Sequence, residues 1–174
     1  MKYLIHAASV LLLSSVTVAL PSEAAAAPTT EIPSAFLIAK SGNKNQVHYA
    51  VHVNDTCAPS VSVPVRAFWR MLDRGPEATE PLDDSELRAF GIEHQDVGAD
   101  RVAVTLRGLP SRVITIRTWR TPEGTCTSSA STTVAGVPAR LASIYVKQKL
   151  FGVDYVLFTG WAADGAVVRE RLSP

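Results

Sequence analysis

The chemistry this chain could do rests on a few residue types. Beyond the first 27 residues the histidines are His48, His52 and His94. His48 and His52 fall four positions apart in the stretch QVHYAVHVN, whose alternation predicts a strand. At strand rise that spacing is roughly 13 Å, too far for both to hold one metal ion. They read as solvent-facing polar positions, and no metal site is expected. The carboxylates gather instead: Glu77, Glu80, Asp83, Asp84 and Glu86 lie within ten residues. Such a cluster could hold the acid and base of a glycan hydrolase. It reads first, however, as the charge expected at the start of a helix, where the macrodipole favours anions. A Gly-x-Ser-x-Gly elbow, a His-Glu-x-x-His pair and a glycine-rich phosphate loop are all absent from the sequence.

The cations are placed more suggestively. Lys40, Arg66, Arg70, Arg107, Arg117 and Lys147 all fall inside runs that read as strands. If some of them face the interior of a barrel, they form an anion-receptive pocket walled by Trp69 or Trp119. The competing reading lays their stems along a solvated face. Trp69, Trp119 and Trp161 read as core residues before they read as a ligand cage.

Two cysteines remain, Cys57 and Cys126. Neither has a second ligand at metal-binding spacing, so a single disulfide is the expected state in an exported chain. In the chain-entropy account, closing so long a loop stabilises by on the order of 4 kcal/mol.

The elements that must carry these groups are mostly strands. Ala35–Ser41 and Gln46–Asn54 flank the turn Gly42-Asn43-Lys44-Asn45 and predict a hairpin. In the second strand Val47, Tyr49, Val51 and Val53 share the core face. Asn54-Asp55-Thr56 reads as turn chemistry. Pro64–Leu72 predicts a third strand, with Trp69 on one side and Arg66 and Arg70 on the other. Asp83–Ala89 predicts a short helix: Asp83 and Glu86 have capping-box spacing, Gly91 suits the residue after the helix, and Leu82, Leu87 and Phe90 supply a buried side. Runs of strand character follow, separated by Gly, Pro and Asp turns. The run Thr125–Val134 reads as an exposed polar strand, and Asp164-Gly165 as a hairpin turn.

Residues 1–27 have the form of a secretory signal peptide: Lys2, an apolar run centred on Leu11-Leu12-Leu13, then small residues from Ala24 to Ala27. Residues 28–34 read as a flexible leader, and 35–174 as a single β-rich domain. No later run is long and apolar enough to span a bilayer as a helix. The net charge of +1 gives no broad attraction for nucleic acid or for an anionic membrane.

Several short motifs run together through the chain: FLIAKS with Asn43 and Asn45, Tyr49 and Asn54, PV at Pro64-Val65, FWRML from Phe68, Gly75, Glu80-Pro81-Leu82, Glu86, AFG from Ala89, and IYVK from Ile144. In these the chain resembles a family of uncharacterised secreted bacterial domains known only as a domain of unknown function. The resemblance implies one secreted β-rich domain and brings no activity, cofactor or catalytic residue with it. It does draw attention to Lys40, Asn54, Trp69 and Glu86 as polar or aromatic members of the shared pattern.

The expected fold is therefore all-β, an antiparallel barrel or sandwich with one short helix. The expected function is non-catalytic: a secreted or periplasmic domain that binds a small molecule or an envelope protein, with no cofactor. Candidate ligand-binding residues are Lys40, Asn54, Arg66, Trp69, Arg70 and Glu86. A carboxylate-dependent, glycan-type hydrolase and a structural or assembly protein of the cell envelope are the alternatives.

Overall fold

A computed structural model describes residues 29–173, so the signal-peptide reading of residues 1–27 lies outside the described residues. The chain forms eleven strands and one helix: β1 (Thr30–Lys40), β2 (Gln46–Val53), β3 (Val65–Arg70), β4 (Thr79–Pro81), α1 (Asp84–Phe90), β5 (Ile92–Val97), β6 (Arg101–Leu106), β7 (Leu109–Arg120), β8 (Cys126–Val134), β9 (Val137–Gln148), β10 (Val153–Ala162) and β11 (Val167–Leu172). The all-β class with a single short helix is what the alternating runs and turn residues require.

The strands make one curled sheet, a half-barrel, in the order β4-β3-β2-β1-β9-β8-β7-β6-β5, with β10 and β11 continuing from the other side of β9. β9 is the pivot. Its first half pairs antiparallel with β8 (Val137–Arg140 against Ser131–Val134), and its second half pairs with β1 (Ile144–Val146 against Ile38–Lys40). The β1–β9 pair is parallel, so the sheet is mixed where a purely antiparallel one was expected. Two wings thus diverge from one long strand and fold toward each other. Val47, Tyr49, Val51 and Val53 of β2 join Val102, Val104 and Leu106 of β6 and Ile114 and Ile116 of β7 in one core. All of these are fully buried. The free edges also approach: beyond the end of β4, the Val65 N–H of β3 donates to Gln95 Oε1 of β5 at 3.2 Å. That bond occupies a donor an open edge would expose.

Several local expectations need correction. The supposed leader is strand from Thr30 on, because Thr30, Glu31 and Ile32 pair with Val53, His52 and Val51. A register shift between Ile32 and Phe36 then absorbs Pro33, which cannot donate to a ladder. The run Thr125–Val134 is not an exposed strand. β8 lies between β7 and β9, with Ala130, Thr132 and Val134 buried and Thr132 Oγ1 donating to Val113 O at 2.7 Å. Trp119 and Trp161 are exposed, and only Trp69 of the three tryptophans is core. Leu87 points away from the core.

Cys57 and Cys126 form a disulfide, with Cα atoms 5.4 Å apart. It ties the β2–β3 connection to the start of β8. The connection is further held where Thr118 Oγ1 donates to Cys57 O at 2.7 Å.

Candidate functional site

The strand registers place one cavity. A single row of partnered residues crosses the inner face: Glu80, Trp69, Val47, Ile38, Ile144 and Phe158, from β4 to β10. Two residues further along β1, Lys40 stands on the same face as Ile38 and opposite Val146, which in turn faces Val156. β2 begins only at Gln46, so no β2 strand residue stands between Lys40 and β3. The Lys40 ammonium lies over the Trp69 ring, 4.4 Å from its centroid.

Helix α1 roofs this floor. Asp83 caps it by accepting from the Glu86 N–H at 2.8 Å, and Glu86 Oε2 accepts from the Asp83 N–H at 2.9 Å. These two bonds satisfy donors that a helix start leaves open. At the other end the carbonyls are met from outside. Tyr49 Oη donates to Phe90 O at 2.7 Å and the Gly108 N–H to Ala89 O at 3.0 Å. The Phe90 ring meets Trp69 edge-on, centroids 5.8 Å apart. Gly108 admits this docking because a Cβ there would stand 2.4 Å from Ala89 O. Gly91 is likewise a matter of close approach, not of a left-handed cap. Its φ is −64°, and a Cβ would meet Leu87 O at 2.2 Å.

Between floor and roof is a cavity of about 290 Å³. Ile38, Val146, Val153 and Val156 line it from the sheet, Ala89 and Phe90 from the helix, and Leu109 from the start of β7. Its polar groups are Lys40, Ser85, Glu86 and Gln148, together with Trp69. Trp69 is 4% exposed and its indole Nε1–H has no hydrogen-bond partner. A buried donor left unmet is costly unless something else meets it. A second, smaller cavity of about 190 Å³ adjoins through Lys40, Trp69 and Glu86, and adds Asn43, Asn45, Met71 and Glu80.

Of the six residues singled out from sequence, the structure brings Lys40, Trp69 and Glu86 together here. The other three are elsewhere. Asn54 organises the cysteine loop, its Oδ1 accepting from the Thr56 and Ala58 N–H groups, both at 3.0 Å. Arg66 points to the outer face, where it grips Glu31 at 2.8 Å and covers Phe68. Arg70, on that same face, donates to Pro76 O at 2.7 Å and lies 3.6 Å from Glu77. Of the remaining strand cations, Arg117 pairs with Asp100 at 2.7 Å and Arg107 with Glu93 at 3.4 Å. The anion-receptive interior imagined from many cations thus reduces to Lys40.

The clustered carboxylates are mostly engaged. Glu77 faces Arg70, Glu80 pairs with Arg74, and Asp83 and Glu86 hold the helix cap. Hydrogen bonds from Ser85 and the Glu86 N–H keep Asp83 below the usual carboxylate range. Among the described residues no group of three or more His, Cys, Asp or Glu side chains is placed to hold a metal ion. No described helix is long and apolar enough to cross a membrane.

The fold and cavity define a β-rich half-barrel with a helix-roofed apolar pocket at one end. The family model described as a domain of unknown function, DUF4833, matches residues 36–171. The chain belongs to that family. No curated protein and no solved structure matches it.

Proposed function

We propose that this is an exported, non-catalytic binding domain whose ligand is a small molecule with an apolar body and an anionic, acceptor-rich head. The observation that carries the reading is the pairing of two unmet donors with an apolar cavity. Lys40 makes no ion pair among the described residues, and the Trp69 indole N–H has no partner. Both residues belong to the lining of the same pocket. A carboxylate or similar head accepts from both, while the valine, isoleucine and phenylalanine walls take the apolar part. A cavity of about 290 Å³ suits a compact ligand, not a polymer. Export is supported by the form of residues 1–27 and by the disulfide, since disulfides persist in oxidising compartments.

Native mass spectrometry of the purified protein, followed by displacement titration with short-chain carboxylates and matched alcohols, tests the reading. Wild type should prefer the carboxylates. Lys40→Met should lose that preference and bind them about tenfold more weakly, the worth of one charged hydrogen bond of ~1.5 kcal/mol. Trp69→Phe keeps the aromatic contact with Phe90 and should cost roughly threefold to tenfold. Failure of every ligand to bind, or affinities untouched by both substitutions, would refute it.

A further inference from the structure

We propose that the hairpin joining β9 to β10 is a docking tip for an anionic lipid bilayer. The hairpin turns tightly: the Lys149 N–H donates to Gly152 O at 3.0 Å, and Gly152 takes a φ of 94° open to glycine. At its apex Leu150 and Phe151 are 89% and 85% exposed. They are the two bulkiest of the strongly exposed apolar side chains among the described residues. Isolated exposed apolar residues are ordinary. Two adjacent ones on a projecting turn, ringed by cations, are not.

The cations of the collar are lysines. Residues 29–173 contain four lysines, Lys40, Lys44, Lys147 and Lys149, and every one is at this end of the half-barrel. The Ser41 N–H donates to Val146 O at 2.9 Å and Ser41 Oγ accepts from the Gln148 N–H at 2.8 Å. These bonds set the turn bearing Lys44 against the base of the hairpin. No lysine is in an ion pair among the described residues; of the twelve arginines there, Arg66, Arg70, Arg74, Arg107, Arg112 and Arg117 are, and the other six are not. The nearby acids are occupied or set back: Asp73 is bound by Asn45, Glu77 and Glu80 face arginines, and Asp154 is half-buried in β10.

An apolar apex with a collar of unpaired ammonium groups matches the lipid interface. Leucine and phenylalanine enter the acyl boundary while lysines stay at the level of the phosphates. A protein partner fits less well, because a stable interface takes about 800 Å² from each side, more than a four-residue turn presents. The inference does not depend on ligand binding in the cavity. Gln148 and Val153 nevertheless belong to both hairpin and pocket lining, so docking would bring this side of the cavity toward the lipid.

The test is co-sedimentation with vesicles of phosphatidylcholine alone and of phosphatidylcholine mixed with phosphatidylglycerol. Wild type should bind the mixed vesicles and be released by salt. Leu150→Ser/Phe151→Ser and Lys147→Gln/Lys149→Gln should each weaken binding about tenfold or more. Their unfolding curves should match wild type, since all four side chains are exposed. A fluorophore on Phe151→Cys should shift to the blue on the mixed vesicles only. Absence of binding to the mixed vesicles, undiminished binding by the tip variants, or photo-crosslinking from position 151 to one protein in place of lipid would overturn the proposal.

Discussion

His48 lies on the outer face of β2 between Leu37 of β1 and Phe68 of β3, its cross-strand partners. It is 5% exposed, with one ring nitrogen 3.0 Å from Gln46 Oε1 and Nδ1 unpartnered. Burial, with the Arg70 charge second, holds its pKa below the ordinary value. The folded state therefore resists protonating a group that the unfolded chain protonates near pH 6.5. Stability from this residue is full above that pH and is lost as pH falls below it, at up to about 1.4 kcal/mol per pH unit until the folded pKa is reached. Denaturant unfolding at pH 7.5 and 5.5 should show that loss in wild type, and His48→Leu should largely abolish it. An unchanged pH slope in the variant would disprove the assignment. Period-two alternation placed His48 opposite the valines, which is where it is, but alternation alone reads the outer face as wet. Its burial depends on Leu37 and Phe68 arriving alongside, a matter of register between strands. The same limit separates the site residues. Alternation within one strand already set Trp69 apart from Arg66 and Arg70, whereas the meeting of Lys40 with Trp69 across the start of β2 depends on where that strand begins.

Among elements, α1 shows what short-range chemistry makes legible. The Asp83–Glu86 capping box formed as its spacing implies, and Glu86, Ala89 and Phe90 share a face through three- and four-residue spacing. That spacing was the available signal for the pocket's roof. Gly108, in the turn that follows β6, carried less information, because its constraint comes from a carbonyl nineteen positions earlier in the chain. Gly108→Ala forces a Cβ toward Ala89 O, a backbone atom that can yield only if the helix moves. The substitution should destabilise by about 1–3 kcal/mol. Because the displaced element is the roof, affinity for the pocket ligand should fall as well. A melting curve together with the carboxylate titration checks both. Lost stability with unchanged affinity would show that α1 does not shape the site. Elements whose partners are distant were the ones misjudged: Thr30–Ser34 is strand only because the far end of β2 is beside it, and polar β8 is internal only because β9 closes over it.

At the scale of the whole molecule the half-barrel has two unlike ends. One holds the cavity, the lysines and α1. The other, where β1 starts and β2 finishes, holds the disulfide. Going around the sheet from β2 to β8 crosses β1 and β9, so Cys57–Cys126 spans the very fork at which the wings diverge. The even cysteine count made this bridge readable from sequence. The fork it braces was not, because a parallel β1–β9 pair joins segments about a hundred residues apart and leaves no local pattern. The bridge closes a 69-residue separation, and its removal should cost on the order of 4 kcal/mol through the unfolded state. For a chain of this length Cys57→Ser/Cys126→Ser should then melt roughly 10 °C lower. If the bridge also braces the fork, hydrogen exchange in the double variant should rise first around Asn54–Ser62 and β8. The cavity end should keep its protection, since α1 is fastened there by Tyr49 and Gly108 without help from the disulfide. Uniform loss of protection over both ends would mean that the half-barrel opens as one unit, and that its two ends are energetically joined through the β9 pivot.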